Sequence, residues 1–246
     1  MSTPATWPIF MARLKSREEV AERTMAFHFE KPAGWTFKAG QFIDITLLEA
    51  PETDSEGNTR GFSIASAPQE ETIMVATRMR DTAFKRVLKT LPLETAVKIE
   101  GPFGNLTLHN NAARPAVLLA GGIGITPFRS ILFRAAKEKL PHRIFLFYSN
   151  RRPEDSPFLE ALQTLERENS NYKLIATMTG MENSHQAWQG ETGLINQGLL
   201  AKYLRDVVSP IYYIAGPAGM VTGLHTMLND AGVDDDDIRI EEFVGY

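Results

Sequence analysis

The chain of 246 residues contains no cysteine. This absence excludes disulfides, cysteine nucleophiles and thiolate-ligated iron–sulfur clusters from the chain itself. Histidines are few and lack the spacing of metal ligands, so we expect them on the surface or in packing roles and expect no metal site: His28, His109, His142, His185 and His225. Any redox chemistry therefore has to come from another kind of group.

The sequence also lacks an excess of positive charge and a long apolar run. The net charge is -4 and the isoelectric point is near 5.8, which gives no electrostatic support for nucleic acid or an anionic membrane as a partner. No run approaches the roughly 18 apolar residues of a membrane span, and the start does not resemble a signal peptide. We expect a soluble, cytoplasmic protein without membrane insertion. A hydrophobic content of 43% supports a sizeable core, and the length favours two small domains.

Residues 118–128 pass from an apolar run through glycines into the start of a helix. The apolar residues 116–120 are typical of a parallel strand that is covered on both faces. Thr126 is expected to cap the following helix and Pro127 suits its first turn, so main-chain N–H groups would face outward as an anion site for a pyrophosphate. Three glycines would let the backbone turn and a ligand approach, unless they only form a tight turn: Gly121, Gly122 and Gly124.

The N-terminal half shows short alternating runs that are typical of a small antiparallel barrel. The predicted strands are 24–30, 41–48, 61–65, 72–78 and 96–100. One helix is predicted at 83–91, because its apolar residues share a face. With a linker at 109–114, we assign residues 1–110 to a β-barrel domain and residues 111–246 to an α/β domain.

The C-terminal half alternates strands with helices. Five strands are predicted at 116–120, 143–148, 173–178, 211–215 and 238–244. Four helices are predicted at 127–139, 157–168, 197–207 and 217–231. This pattern predicts a doubly wound parallel five-stranded sheet. A strand order of 3-2-1-4-5 would place the first and fourth strands side by side at the topological switch point, where ligands bind. The turn at 215–220 would then face the glycine loop.

The segment 60–63 offers a third candidate site. Arg60 supplies a bidentate donor for phosphate, Phe62 a flat aromatic face on the same side of the strand, and Ser63 a hydroxyl. The alternative is purely structural, with an arginine on an edge strand beside a phenylalanine in the core. The segment 81–85 begins the barrel's helix, so its N–H groups could meet the same pyrophosphate, while Thr82 could serve simply as the helix cap.

Four motifs occur in order along the chain: Arg-Gly-Phe-Ser at 60–63, Gly-Pro-Phe-Gly at 101–104, Gly-Gly-Ile-Gly-Ile-Thr-Pro at 121–127 and Gly-Pro-Ala-Gly-Met at 216–220. Together they resemble the ferredoxin–NADP reductase superfamily, and the likeness extends from residue 40 to the C-terminus. The resemblance implies that the barrel binds a flavin, usually FAD with FMN as an alternative, and that the α/β domain binds NADH or NADPH. It also implies that Arg60 pairs with the flavin phosphates, Phe62 lies against the isoalloxazine ring and Ser63 sits near the reactive nitrogen.

The remaining site assignments follow from this resemblance. Catalytic roles are implied for Ser63, Thr126, Glu242 and Phe243. Cofactor contacts are implied for Arg60, Gly61, Phe62, Ser63, Thr77, Arg78, Thr82, Ala83, Phe84, Gly121, Gly122, Gly124, Thr126, Pro127, Asn150, Arg151, Gly216, Pro217, Met220, Phe243 and Tyr246. Two positions depart from the family pattern, since Phe62 stands where tyrosine is more common and Ala215 where cysteine is usual.

The C-terminal segment 241–246 is expected to leave the last strand beside the cofactor crevice. In relatives an aromatic near the C-terminus covers the flavin and yields to nicotinamide, and Phe243 and Tyr246 are both candidates here. Ordinary packing of these rings is the alternative. Arg151 and Arg152 would favour NADPH, whereas Glu182 would repel a 2′-phosphate, and we expect NADH.

The resemblance implies an enzyme that moves hydride from NAD(P)H to bound FAD and then passes electrons to a separate acceptor. Because the chain has no cysteine, that acceptor would be a ferredoxin, a flavodoxin, a haem protein or a small molecule. A free-flavin or quinone reductase is one alternative. A flavin-binding electron-transfer component of a larger complex is another. We expect a monomer.

Overall fold

The described residues form two six-stranded β-sheets, one in the N-terminal half of the chain and one in the C-terminal half. The computed structural model describes residues 7–243. The last strand of the first sheet ends at Phe103 and the first strand of the second begins at Ala116, so the change of architecture falls between these residues. No helix within residues 7–243 has the length and apolar character needed to cross a bilayer.

The first sheet is antiparallel throughout, as predicted. Its elements are β1 Ile9–Ala21, β2 Thr24–Glu30, β3 Phe42–Leu47, β4 Thr59–Ser63, β5 Thr72–Arg78, α1 Ala83–Thr90 and β6 Ala96–Phe103. The strands follow the order β4-β3-β6-β1-β2-β5. A bridge between Ile64 and Val75 brings the two ends of this order together, so the sheet closes on itself as a barrel around an apolar core.

The longest strand of the barrel, β1, was not predicted. Of its 13 residues only Ala12 and Leu14 are buried. Charged residues are concentrated in its second half, so the alternation of apolar and polar side chains that marks a strand is nearly absent from the sequence. Pairing with β2 and β6 along its length, rather than its own pattern, makes this segment a strand.

The second sheet is parallel and carries helices on both faces, as predicted. Its elements are β7 Ala116–Gly121, α2 Ile125–Lys137, β8 Ile144–Asn150, α3 Leu159–Glu168, β9 Tyr172–Met178, β10 Glu191–Thr192, α4 Gln197–Tyr203, β11 Ile211–Pro217, α5 Ala218–Asp230 and β12 Ile238–Phe243. The order β10-β9-β8-β7-β11-β12 confirms the predicted 3-2-1-4-5 arrangement of the five main strands. The two-residue strand β10 adds a sixth member at the edge. Val244, predicted to end the last strand, lies outside the described residues.

Strand β7 lies at the centre of this sheet and is buried along its whole length. Leu118 and Ala120 pack into the core on one face, while Val117 and Leu119 pack into the core on the other. A strand covered on both faces needs apolar residues without alternation, which is the pattern of β7.

The turn after β7 differs from the predicted cap. Residues Gly122–Gly124 form a single 3₁₀ turn, α2 begins at Ile125, and its N-cap is Gly124, which makes no side-chain hydrogen bond. Thr126 therefore lies inside the helix, and its hydroxyl donates to the carbonyl of Ile123 at 2.9 Å. The prediction that Thr126 caps α2 is wrong because the preceding 3₁₀ turn already forms the helix start.

Two of the glycines leave room for the protein's own backbone and side chains. A Cβ at Gly124 would lie 2.2 Å from the carbonyl oxygen of Ala215, and one at Gly121 would lie 2.3 Å from the sulfur of Met220. Gly122 has a φ of +53°, which turns the chain from β7 into the 3₁₀ segment. The glycines thus bring the turn after β7 into direct contact with the turn after β11.

Replacing Gly124 with alanine is expected to destabilise the chain by about 3 kcal/mol or more, because the new methyl group would meet main-chain atoms of β11. Gly223→Ala is the matched control, since a Cβ there meets nothing within 4 Å and alanine in a helix is favoured by roughly 0.5–1 kcal/mol. Urea unfolding measures both. Equal stability of the two variants would contradict the contact between the turns.

Candidate functional site

Two clefts open where the barrel meets the parallel sheet. The first, named here the glycine cleft, has a volume of about 560 Å³ and is lined at its base by the two glycine-containing turns, including Gly121, Gly122, Pro217 and Met220. The second, the serine cleft, has a volume of about 390 Å³ and is lined by Phe62, Ser63, Glu241 and Phe243 among others. Pro217 and Phe243 are register partners in β11 and β12, so the two clefts lie on either side of this strand pair.

Positive charge surrounds the glycine cleft. Three arginines reach it from the barrel and one from the end of β8: Arg23, Arg78, Arg80 and Arg151. Asp155 is the acidic residue in the lining, and its carboxylate pairs with Arg78 at 3.3 Å. Hydrogen bonds from Arg152 lower the pKa of Asp155, although burial acts to raise it. This carboxylate is therefore already paired with arginines of the protein. A cleft lined by these arginines suits a ligand with several phosphate oxygens.

Asn150 ends β8 at the wall of the glycine cleft. Its side chain is buried, at 7% exposure, and its Nδ2 donor has no hydrogen-bond partner among the described residues. A buried donor without an acceptor costs free energy unless a ligand or water supplies one. This position therefore suits the polar part of a ligand, and the assignment of Asn150 to nucleotide binding stays a prediction.

The three residues that bear on nucleotide preference lie in different surroundings. Arg151 lines the glycine cleft. Arg152 instead pairs with Asp155 at 2.8 Å and with Glu22 of the barrel, so it joins the two sheets. Glu182 accepts a hydrogen bond from Asn183 and does not line the cleft. The preference for NADH stays a prediction, and Glu182 no longer supports it.

In the serine cleft, the hydroxyl of Ser63 donates to Oε1 of Glu241 at 2.6 Å. The sequence assigned the catalytic role to Glu242, which is exposed. Because successive residues of a strand point to opposite faces, Glu241 shares its face with Phe243 and Glu242 does not. Glu242 also lines this cleft, so its catalytic role stays a prediction, and Glu241 joins it as a candidate. Alternation along β12 was the signal that could have identified Glu241.

Burial raises the pKa of Glu241, and the hydrogen bond from Ser63 partly opposes this rise. The carboxyl group consequently holds a proton to higher pH than an exposed glutamate does. A Ser–Glu pair of this kind can keep or pass a proton at the mouth of the cleft.

Aromatic rings form two walls of the serine cleft. Phe62 is 8% exposed and packs against Phe84 with ring centroids 5.8 Å apart, so it is both a core residue and a lining residue. Phe243 is half-buried and packs against the sheet's core from the opposite side. Tyr246, the other candidate ring, lies outside the described residues.

Arg60 is held by the loop that precedes β4. Its Nη1 donates to the carbonyls of Glu56, Gly57 and Thr59 at 2.8–3.0 Å. Its Nη2 pairs with the carboxylates of Asp54 and Glu56, both at 2.9 Å. The guanidinium carbon lies 5.3 Å from the ring centroid of Phe84, so Arg60 and Phe62 face the same ring, as expected for alternate strand residues.

The start of α1 completes a cradle with Arg60. Thr82 is the N-cap and accepts from the N–H of Lys85 at 3.4 Å, which makes it the helix cap that the sequence allowed. The N–H of Ala83 donates to the carboxylate of Asp54. Burial, and to a lesser extent the nearby charges of Arg80 and Arg60, lower the pKa of Lys85 to about 8. The cradle thus holds the carboxylate of Asp54, and its Arg60 also pairs with the carboxylate of Glu56.

Several predicted site residues lie away from open space. Thr77 is buried in β5, with its hydroxyl 3.5 Å from the carbonyl of Arg78. Thr126 and Pro127 are buried in the first turn of α2. Gly216 packs against the backbone of Gly121. Their contribution is to shape the clefts, whereas Gly61, another of the predicted glycines, lines the serine cleft.

Comparisons with known proteins agree with this architecture. Residues 118–226 match the family model of the oxidoreductase NAD-binding domain. The F component of the Na(+)-translocating NADH-quinone reductase of Pseudoalteromonas atlantica is 29% identical over 219 residues, which are 83% of this chain and 52% of that protein. The chain therefore spans about half the length of this relative.

Solved structures share the fold at low sequence identity. The FAD/NAD-binding domain of nitric oxide dioxygenase from Vibrio cholerae superposes with a TM-score of 0.79 at 18% identity, covering 95% of this chain and 98% of that one. A ferredoxin–NADP+ reductase from Neisseria gonorrhoeae, solved with FAD and NADP, gives a TM-score of 0.77 at 19% identity, again covering 95% and 98%.

The raised pKa of Glu241 predicts a pH-dependent cost in stability. Its carboxyl group binds a proton more tightly in the folded chain than in the unfolded chain. The stabilisation that this gives is complete below pH 4.5, the ordinary pKa of a glutamate, and is lost as the pH rises through the higher pKa of the folded chain. Glu241→Gln should remove this loss, so its melting temperature should rise relative to the parent chain as the pH increases above 4.5. Glu242→Gln, at the exposed neighbour, should track the parent at every pH. A pH-independent difference for Glu241→Gln would contradict the assignment.

Proposed function

We propose that the chain belongs to the ferredoxin–NADP reductase superfamily and is an NAD(P)H-dependent flavoprotein reductase that delivers electrons to a separate acceptor. The observation that carries the proposal is the juxtaposition of the two clefts. The glycine cleft suits a nucleotide, the serine cleft suits a flat ring, and they meet at the Pro217–Phe243 pair. A reductase of this class needs both ligands in contact at one place.

The barrel would hold FAD by its phosphates and its ring. Arg60 and the N–H of Ala83 already bind a carboxylate, which supports a cradle that accepts an oxyanion. Phe62 and Ser63 would face the ring system in the serine cleft. Bound flavin would supply the redox chemistry, accepting hydride and releasing electrons one or two at a time. FMN is the alternative cofactor.

The parallel sheet would hold the nicotinamide nucleotide. Arg151 lines the glycine cleft as a charge for phosphate, and the unpaired Nδ2 of Asn150 supplies a donor. Gly122 carries the turn at the end of β7, where the start of α2 adds the positive end of a helix dipole. These residues bind and orient the nucleotide.

Residues of the serine cleft would control access and protons. Ser63 and Glu241 form a hydrogen-bonded pair within reach of a ring placed against Phe62, and the raised pKa of Glu241 lets it retain a proton there. Phe243 lines the cleft from β12. The ring of Phe243 would have to yield when nicotinamide enters.

The acceptor is proposed by chemical class. The chain contains no cysteine for an iron–sulfur cluster, so a ferredoxin, a flavodoxin, a haem protein or a small molecule would receive the electrons. A flavin-binding electron-transfer component of a larger complex is the second candidate, because the matched relative is named as one component of an NADH-quinone reductase and is about twice as long as the matching part. Oxidation of NAD(P)H by the purified chain with ferricyanide as acceptor supports the first candidate, and flavin binding without that turnover supports the second.

Arg60→Ala is expected to weaken FAD binding by about 1.5–3 kcal/mol, the usual worth of a charge-assisted hydrogen bond. Arg86→Ala is the matched control, since that arginine also pairs with acids of the same region but does not line the cradle. Flavin fluorescence titration gives both affinities. Unchanged FAD affinity in Arg60→Ala would refute the barrel assignment.

Phe243→Ala is expected to strengthen nucleotide binding several-fold, because stacking of a displaced ring is worth only about 0.5–1.5 kcal/mol. FAD should stay bound through Arg60. Charge-transfer absorbance on mixing with reduced nucleotide reports the approach of nicotinamide to the flavin. Phe133→Ala, at a half-buried ring on α2 outside both clefts, is the control. Identical behaviour of the two variants would place the gate elsewhere.

A further inference from the structure

The loop that enters β4, residues 51–58, carries three carboxylates at alternate positions. Glu52 pairs with Arg86 of α1 at 2.6 Å, and Asp54 and Glu56 pair with Arg60. The loop contains neither helix nor strand, and most of its residues are exposed. Its attachment to the barrel is therefore mainly electrostatic, and little apolar surface holds it in place.

Asp54 is the member of this loop that points inward. Its side chain is 30% exposed, against 71% for Glu56. It accepts hydrogen bonds from Arg60, from the main-chain N–H of Glu56 and from the N–H of Ala83 at the start of α1. Although partial burial acts to raise its pKa, these donors lower it, so Asp54 is ionised at neutral pH.

Arg60 uses all of the N–H donors on its two terminal nitrogens, Nη1 and Nη2, in contacts with this segment. Nη1 and Nη2 carry about four N–H groups in all. They meet three main-chain carbonyls and two carboxylates, all within residues 54–59. A phosphate oxygen could reach these two terminal nitrogens only by replacing one of these acceptors, and the two carboxylates would repel a phosphate that approached while they stayed.

We infer that Asp54 acts as a built-in competitor for the flavin phosphate, because a phosphate that binds Arg60 has to displace the carboxylate of Asp54 from the guanidinium. The inference rests on the proposed function, since it concerns the same cradle. Asp54 thereby sets flavin affinity, and it lowers affinity for phosphate-bearing flavins in particular. A chain built in this way exchanges its flavin more readily than one with an open cradle.

The test compares FAD with riboflavin, which has the same ring and no phosphate. Both are titrated by fluorescence into the flavin-free chain and into the Asp54→Asn variant, which keeps the size of the side chain and removes its charge. Glu52→Gln is the control, because it removes the same charge from the same loop at a carboxylate that contacts Arg86 and not Arg60. Melting temperatures of the flavin-free proteins establish that each variant is folded.

We expect Asp54→Asn to bind FAD about tenfold more tightly, a difference on the scale of one charged contact. Riboflavin affinity should be unchanged, and Glu52→Gln should alter FAD affinity by less than about twofold. Unchanged or weaker FAD binding by Asp54→Asn would overturn the inference, as would an equal gain for riboflavin. If every protein binds FAD with equal affinity, the proposed flavin site stands and only the role of Asp54 falls. If none binds FAD, both fall together.

Discussion

The close approach of two main-chain turns is the constraint on which this structure depends. Gly124 lies against the carbonyl of Ala215, and Gly216 lies against Gly121, so the ends of β7 and β11 meet without side chains between them. Parallel pairing of these strands places both turns at the same edge of the sheet. The glycine cleft exists because this edge opens toward the barrel.

Positive charge at these clefts indicates which ligands they suit. Arginines from both sheets converge on the glycine cleft, and Arg60 with the start of α1 forms a second positive site in the barrel. Some of these charges are matched internally, since Asp155 binds Arg78 and Arg152, and Asp54 binds Arg60. These aspartates hold the arginines in place and also compete with any phosphate ligand. The affinity for such a ligand therefore depends on the difference in free energy between arginine–phosphate pairs and arginine–aspartate pairs.

Much of the fold was predictable because its elements carry local signals. Four of the five main strands of the parallel sheet are largely apolar runs, and the order of the five followed from the topology of doubly wound sheets. β1 escaped prediction because its pairing, and not its own pattern, makes it a strand. The paired edges of the barrel were likewise set by neighbours distant in sequence.

The candidate site was predicted in part, for the same reason. Asn150 and Arg151 follow a strand end, where side chains of a parallel sheet gather, and both line the glycine cleft. The choice between Glu241 and Glu242 depended on which side chains of β12 point toward the cleft. Alternation along the sequence indicates that the two glutamates point to opposite faces, but the family pattern did not indicate which face meets the cleft. The role of Asp54 depends on how a surface loop folds over Arg60, and no local pattern encodes that contact.

The central claim is that the two clefts bring a nucleotide and a flavin into contact. Anaerobic rapid mixing of the FAD-loaded chain with NADH, and separately with NADPH, tests it most directly. The account predicts loss of the oxidised flavin absorbance at a rate that saturates with nucleotide concentration, preceded by a charge-transfer band. Binding of both ligands without any loss of that absorbance would contradict it.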